Sequence, residues 1–212
     1  MRRHLLIIGW ILGLIPGLAS AGDEKLPALD QLAWQGFAES FLPLISEQDR
    51  VKLKEQQYKL FYALRRQPKN PTYYLQAAGT SFGLGEYSQA AEHYLAYQRL
   101  VPFHRQSALR YVQSIYLAGD DETALFLLQA LREQGRPFTL NDVLEAEILH
   151  NQGEQIEAAR CLGRAFASVK VVDPEQQSPA QARLRRVVFY NLALTLRELG
   201  HADRAIRVLE AL

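Results

Sequence analysis

A chain of 212 residues with 48% apolar content has enough hydrophobic side chain for a sizeable core, which excludes a largely disordered protein. Its 24 Lys and Arg face 23 Asp and Glu, and that near balance excludes a strongly basic nucleic-acid binder, whose affinity comes from clustered cations. With one cysteine, Cys161, no internal disulfide can form.

The N-terminus, residues 1–21, reads as a secretory signal peptide. Arg2 and Arg3 give a positive start, Leu5 to Ile15 an apolar run, and Pro16-Gly17 a break before Ala19-Ser20-Ala21. Cleavage is expected after Ala21, with a periplasmic mature protein of 22 basic and 23 acidic residues, net −1 with histidine neutral. Gly22 rather than cysteine follows the cut, so no lipid-bearing N-terminal cysteine is expected. A retained anchor is the rival reading, but a spanning helix needs about 20 apolar residues and this run is shorter and stopped by Pro16. After cleavage no integral membrane segment is expected.

Residues 22–69 read as an N-terminal helical cap or degenerate repeat. A polar lead with Pro27 precedes Leu32, Phe37, Phe41 and Leu44, which suggest a short helix ending near Pro43. Ser46 with Asp49 fits a helix N-cap with acid in the first turn. Val51, Leu53, Leu60, Phe61 and Leu64 supply a core-facing stripe that ends at Pro68. The pair lacks a turn glycine, and a cap is required because an end repeat without a neighbour leaves its apolar face in water.

From residue 70 the chain is periodic. Gly85-Glu86-Tyr87, Gly119-Asp120-Asp121 and Gly153-Glu154-Gln155 recur at an interval of 34 residues, the period of stacked helix-turn-helix units. Ala90, Ala124 and Ala158 each follow their glycine by five positions, where the second helix crosses the first and a small side chain permits approach. Tyr94, Leu128 and Leu162 fill the space one turn later. Before the turns, Tyr74, Ala78 and Phe82 form one stripe and Ala108, Val112 and Tyr116 another. Pro102 closes the first unit. The repeats run at about 71–104, 105–138 and 139–172. A polar insert, 173–185, follows, and a fourth copy occupies 186–212 with Gly200, Ala205 and Leu209 in the matching places. Ser178 and Pro179 suit a helix start, so the first helix of repeat four is expected to be extended by about two turns. Arg183, Arg185 and Arg186 on that extension read as a solvated basic face, with contact to an anionic partner as second reading.

This pattern resembles the tetratricopeptide repeat (TPR) family, with the fit strongest in repeat one through Tyr74, Ala78, Gly85, Glu86, Tyr87, Ala90, Tyr94 and Pro102. The other repeats depart at Ala108, Asp142 and Val112. The resemblance implies an all-α, right-handed superhelical solenoid whose members mostly bind proteins or peptides. Exported proteins of this kind often serve envelope assembly or exopolysaccharide export, the alternative functional expectation. Ile206, Leu209 and Leu212 end the sequence apolar, which suggests either pairing with another chain, such as a homo-oligomer formed through the C-terminal repeat, or a shortened form of a longer protein.

Catalytic signals are weak. Gly79-Thr80-Ser81-Phe82-Gly83 matches the letters of a nucleophile elbow, which needs a strand-turn-helix bend; here it falls in a helical pattern, so a serine hydrolase using Ser81 is the remote reading. Glu147 and His150 lie three apart, but no second copy or further ligand set accompanies them. His4, His93, His104 and His201 have no short ligand spacing, and Gly83 and Gly85 lack the rest of a phosphate loop. Cys161 reads as a small buried filler. No catalytic residue, metal or cofactor is therefore expected, and the chain reads as a non-enzymatic scaffold. Its expected site is the concave groove lined by the first helices. The positions are Thr72, Leu75, Gly79 and Phe82; Gln106, Leu109, Gln113 and Tyr116; Val143, Glu147 and His150; and Tyr190, Leu194 and Arg197. Mixed apolar and polar residues there suit an amphipathic or extended peptide.

Overall fold

The computed structural model describes residues 29–42, 44–102, 104–135, 138–171 and 176–212. The expected signal peptide and its cut site lie outside these residues. Among the described residues there is no strand. A 3-10 turn at Leu29–Gln31 is followed by α1 Phe37–Phe41, α2 Glu47–Arg66, α3 Pro71–Leu84, α4 Tyr87–Leu100 and α5 Arg105–Leu117. Then come α6 Asp121–Glu133, α7 Thr139–Asn151, α8 Gln155–Val169, α9 Pro179–Glu198 and α10 Ala202–Glu210.

From α3 on, helices pair as hairpins (α3 with α4, α5 with α6, α7 with α8, α9 with α10), and each second helix packs on the first helix of the next pair. The bends are set by glycine. Gly85, Gly119, Gly153 and Gly200 have φ between 79° and 88°, a region costly for any residue with a Cβ. After each, the next amide donates back to the carbonyl five residues earlier: Glu86 to Ser81, Asp120 to Ile115, Glu154 to Leu149 and His201 to Leu196. These bonds satisfy carbonyls that a helix end leaves open. Ala90, Ala124, Ala158 and Ala205 are fully buried at the crossings, and Tyr94, Leu128, Leu162 and Leu209 are buried one turn later. The 34-residue register is thus a register of close contacts.

Helix starts follow from the sequence as well. Ser46 accepts from the Asp49 amide at the head of α2. Ser178 and Gln181 form a reciprocal capping box with Pro179 in the first turn, and α9 runs 20 residues against 13 for α7. Cys161 is 3% exposed in the core. Burial first, and the nearby Glu145 charge second, push its thiol up to about 12, which makes it an inert filler.

The N-terminal segment differs from its expected arrangement. α1 does not pair with α2 as a degenerate repeat; α1 packs on α7, while α2 alone stacks on α3 as the end helix. A Cβ on Gly83 would stand 3.1 Å from the Leu53 side chain, so that glycine admits α2 at close range. Without a partner helix outside it, α2 buries Leu60 only; Val51 and Phe61, expected in the core, are more than half exposed. At the other end, Leu209 is buried and Leu212 packs inward, whereas Ile206 faces out. The basic face expected on α9 is partly internal: Arg185 is buried over the Phe189 ring and donates to the Ala211 carbonyl at 2.8 Å, and Arg183 donates to the Ser40 carbonyl at 3.3 Å.

Candidate functional site

The site begins with a burial problem on α7. A first helix in a solenoid has neighbours on three sides and an open concave side, yet every residue of α7 from Asn141 to Ile148 is buried. That stretch holds three acids, and an unpaired buried carboxylate is costly. Asp142 is met by Arg164 at 2.9 Å, and Glu145 accepts from Arg164 at 3.2 Å and from Arg132. These pairs tie α6, α7 and α8 together. Glu147, on the concave side, is met by the cover over that side, a strap formed by residues 29–42.

The strap crosses the first helices from repeat four towards repeat one. Leu29 and Leu32 pack with Leu194 and Tyr190. Arg197 donates to the Leu29 carbonyl. Trp34 stacks on His150 with ring centroids 3.9 Å apart and planes within 5°. Phe37, 1% exposed, meets Tyr116 edge-on and packs with Leu144 and Ile148. Phe41 lies between the clusters of repeats two, three and four, and Leu42 reaches the repeat-one cluster of Phe82 and Leu75.

The polar contacts concentrate on strap backbone. The Gln35 amide donates to Asn191 Oδ1 at 2.8 Å, and Asn191 Nδ2 donates to the Gln35 carbonyl at 3.0 Å. The Phe37 amide donates to Glu147 Oε2 at 2.5 Å, and Trp34 Nε1 donates to the same oxygen at 3.5 Å. Tyr116 Oη donates to Glu147 Oε1 at 2.6 Å. Burial raises the Glu147 carboxyl above its ordinary value, with the Tyr116, Phe37 and Trp34 donors pulling the other way. Tyr116 is raised by burial and by its bond to that carboxylate. The arrangement is a backbone clamp flanked by aromatic seats, and it holds the non-helical stretch of the strap between its 3-10 turn and α1.

No family model matches the chain, and no curated protein matches it. Solved structures do. A crystal structure of MamA superposes with a TM-score of 0.62 at 12% identity, covering 84% of this chain and 94% of that one. YrrB, described as a TPR protein with an unusual peptide-binding site, superposes at 0.55 with 17% identity, covering 77% and 78%. MamA 41-end from Desulfovibrio magneticus RS-1 gives 0.59 at 15%, covering 77% and 85%.

The chain has a TPR-like fold. On that solenoid, Tyr116, Glu147, His150, Tyr190, Leu194 and Arg197 are gathered along the strap, and Leu75 and Phe82 meet its end. The other expected groove positions are not. Thr72 and Gln106 are exposed, Leu109 is half-buried, and Gly79 faces open space. Two expectations are corrected: Gln113 is 2% exposed and accepts from Arg110, and Val143 is fully buried in the core between α7, α8 and α9. Ser81 is buried inside α3 and donates to Gln89 at 3.1 Å, so the strand-turn-helix bend of a nucleophile elbow is absent at this position. Sequence reasoning missed Asn191. Its signal was an asparagine with Tyr190 and Leu194 on one helical face, a polar group that burial obliges to find partners outside its own helix.

Proposed function

We propose that this protein is an exported, non-enzymatic scaffold that holds an extended segment of a protein partner in the concave groove of its TPR-like solenoid. The observation that carries this is the paired hydrogen bonding of Asn191 to the Gln35 backbone, a contact that reads a peptide main chain and not a particular side chain. A TPR-like fold supports the reading, and YrrB, similar in fold, is described as having a peptide-binding site. Export rests on residues 1–21, and no helix among the described residues is long and apolar enough to cross a membrane.

The test places a photo-crosslinking amino acid at Gln106, exposed on the concave-face helix α5, and at Glu122, on the outer helix α6, in the native host. Adducts at position 106 that are absent at 122, and whose crosslinked peptide lies in one short segment of the partner, are expected. Equal adducts at both positions contradict the groove. Mature protein beginning at Gly22 in the periplasmic fraction is expected; retention of residues 1–21 contradicts cleavage.

A further inference from the structure

The groove along repeats two to four is already occupied by the strap, and what fills it describes what it accepts. Asn191 uses both the amide and the carbonyl of Gln35, so the side chain at that position is free while proline is excluded. On either side sit the two residues that are read. The Trp34 ring lies flat on His150, and its indole N–H is aimed at Glu147. The Phe37 ring is enclosed, with its amide on the same carboxylate oxygen. Gly36 between them is extended (φ −63°, ψ 147°), and the nearest atoms to a Cβ there belong to Glu39 of the strap itself, so the groove does not demand glycine. The charged group of the groove that faces this central stretch among the described residues is Glu147, whose three donors come from Trp34, Phe37 and Tyr116. An occupant lacking the first two leaves a buried carboxylate short of partners.

The strap is joined to the solenoid through residues 42–46, where Leu44 is 98% exposed, and α2 is anchored independently on α3. It can therefore leave the groove without the end helix moving. We infer that residues 29–42 are a resident stand-in for the groove's ligand, and that the ligand is an extended protein segment of the form Trp-x-x-Phe, without proline after the tryptophan, which displaces the strap. This rests on the groove reading above and specifies its occupant. A tethered segment acts at an effective concentration of about millimolar, so the strap holds the affinity of an incoming segment down until it is released.

The experiment uses the full-length chain and a fluorescent peptide with the sequence of residues 29–42. Binding is measured by anisotropy to the unaltered protein and to a strap-released variant, Trp34→Ala with Phe37→Ala; Gln35→Pro, which removes one clamp bond and keeps both aromatic rings, is the second variant should the first not fold. The released variant is expected to bind the peptide at least tenfold more tightly than the unaltered protein, and a peptide with both aromatics replaced by alanine is expected not to bind. Equal affinity for both proteins overturns the strap as competitor. Equal binding of the alanine peptide overturns the Trp-x-x-Phe class while leaving a peptide groove in place. No binding to a folded released variant overturns the inference; the crosslinking at Gln106 then decides the groove reading separately.

Discussion

Asn191→Ala isolates the clamp. Asn191 is fully buried and contributes one accepted and one donated bond to Gln35, at 2.8 and 3.0 Å. A net hydrogen bond is worth about 0.5–1.5 kcal/mol, so losing two removes about 2 kcal/mol from strap docking. The shortened side chain leaves the rest of α9 intact, because the Ala193, Leu194 and Leu209 packing does not depend on it. At about 1.4 kcal/mol per factor of ten, the population with the strap undocked rises roughly thirtyfold. Amide hydrogen exchange reads this directly: the Gln35 and Phe37 amides should lose protection by that factor, while amides in the middle of α8, bonded within their own helix, keep theirs. Uniform loss across α3 to α10 would show that Asn191 holds the solenoid rather than the strap, and unchanged protection at Phe37 would refute the clamp.

Other consequences follow from the same contacts. Gly119→Ala puts a Cβ at φ 88° and should cost about 1–2 kcal/mol, whereas Gly163→Ala, inside α8 with open space at its Cβ, should gain up to about 1 kcal/mol; urea melts of the two must move in opposite directions. Glu145→Ala removes the acceptor shared by Arg132 and Arg164, and because both arginines can turn to water the loss should be about 1–2 kcal/mol, less than the 3–5 expected when a buried charge is stranded. Arg164→Ala strands Asp142 and leaves Glu145 with Arg132 alone, and should cost more in the same melt. Burial raises the Glu147 carboxyl, so the folded state binds its proton more tightly than the unfolded chain does. Its contribution to stability is fully present below the ordinary value of 4.5 and is lost as pH climbs through the raised folded value. The stability difference between Glu147→Gln and the unaltered protein should change in favour of the variant across that rise; a difference that stays flat with pH contradicts the assignment.

The repeat frame was legible because it is local. A left-handed glycine, an alanine five positions on and a bulky residue one turn later are all set within a single hairpin, so the 34-residue spacing located the bends at Gly85, Gly119 and Gly153, and the same local pattern located the one at Gly200 beyond the insert. Ser46 and Ser178 were legible for the same reason. The strap was not, because its spacing of Leu32, Phe37 and Phe41 says that these side chains want burial and says nothing of where. The buried partners of Phe37 lie on α5, α6 and α7, and only the assembled solenoid brings them to it. The same blindness explains Val51 and Phe61, whose period fits a core face but which have no helix outside them, and Gln113 and Val143, which the period assigns to the groove and the assembled helices bury. Arg183 reads as a solvated charge in the sequence because the backbone carbonyl that receives it belongs to residue 40.

The central claim, that residues 29–42 lie along the concave face, is tested most directly by Trp34. The sequence has two tryptophans, Trp10 and Trp34, so a chain beginning at Gly22 reports from Trp34 alone. Its emission should lie to the blue of the free 29–42 peptide and resist acrylamide quenching, and Gln35→Pro should move both towards the free peptide while helicity is unchanged. Emission and quenching equal to those of the free peptide, in a chain that is fully helical, would contradict the account.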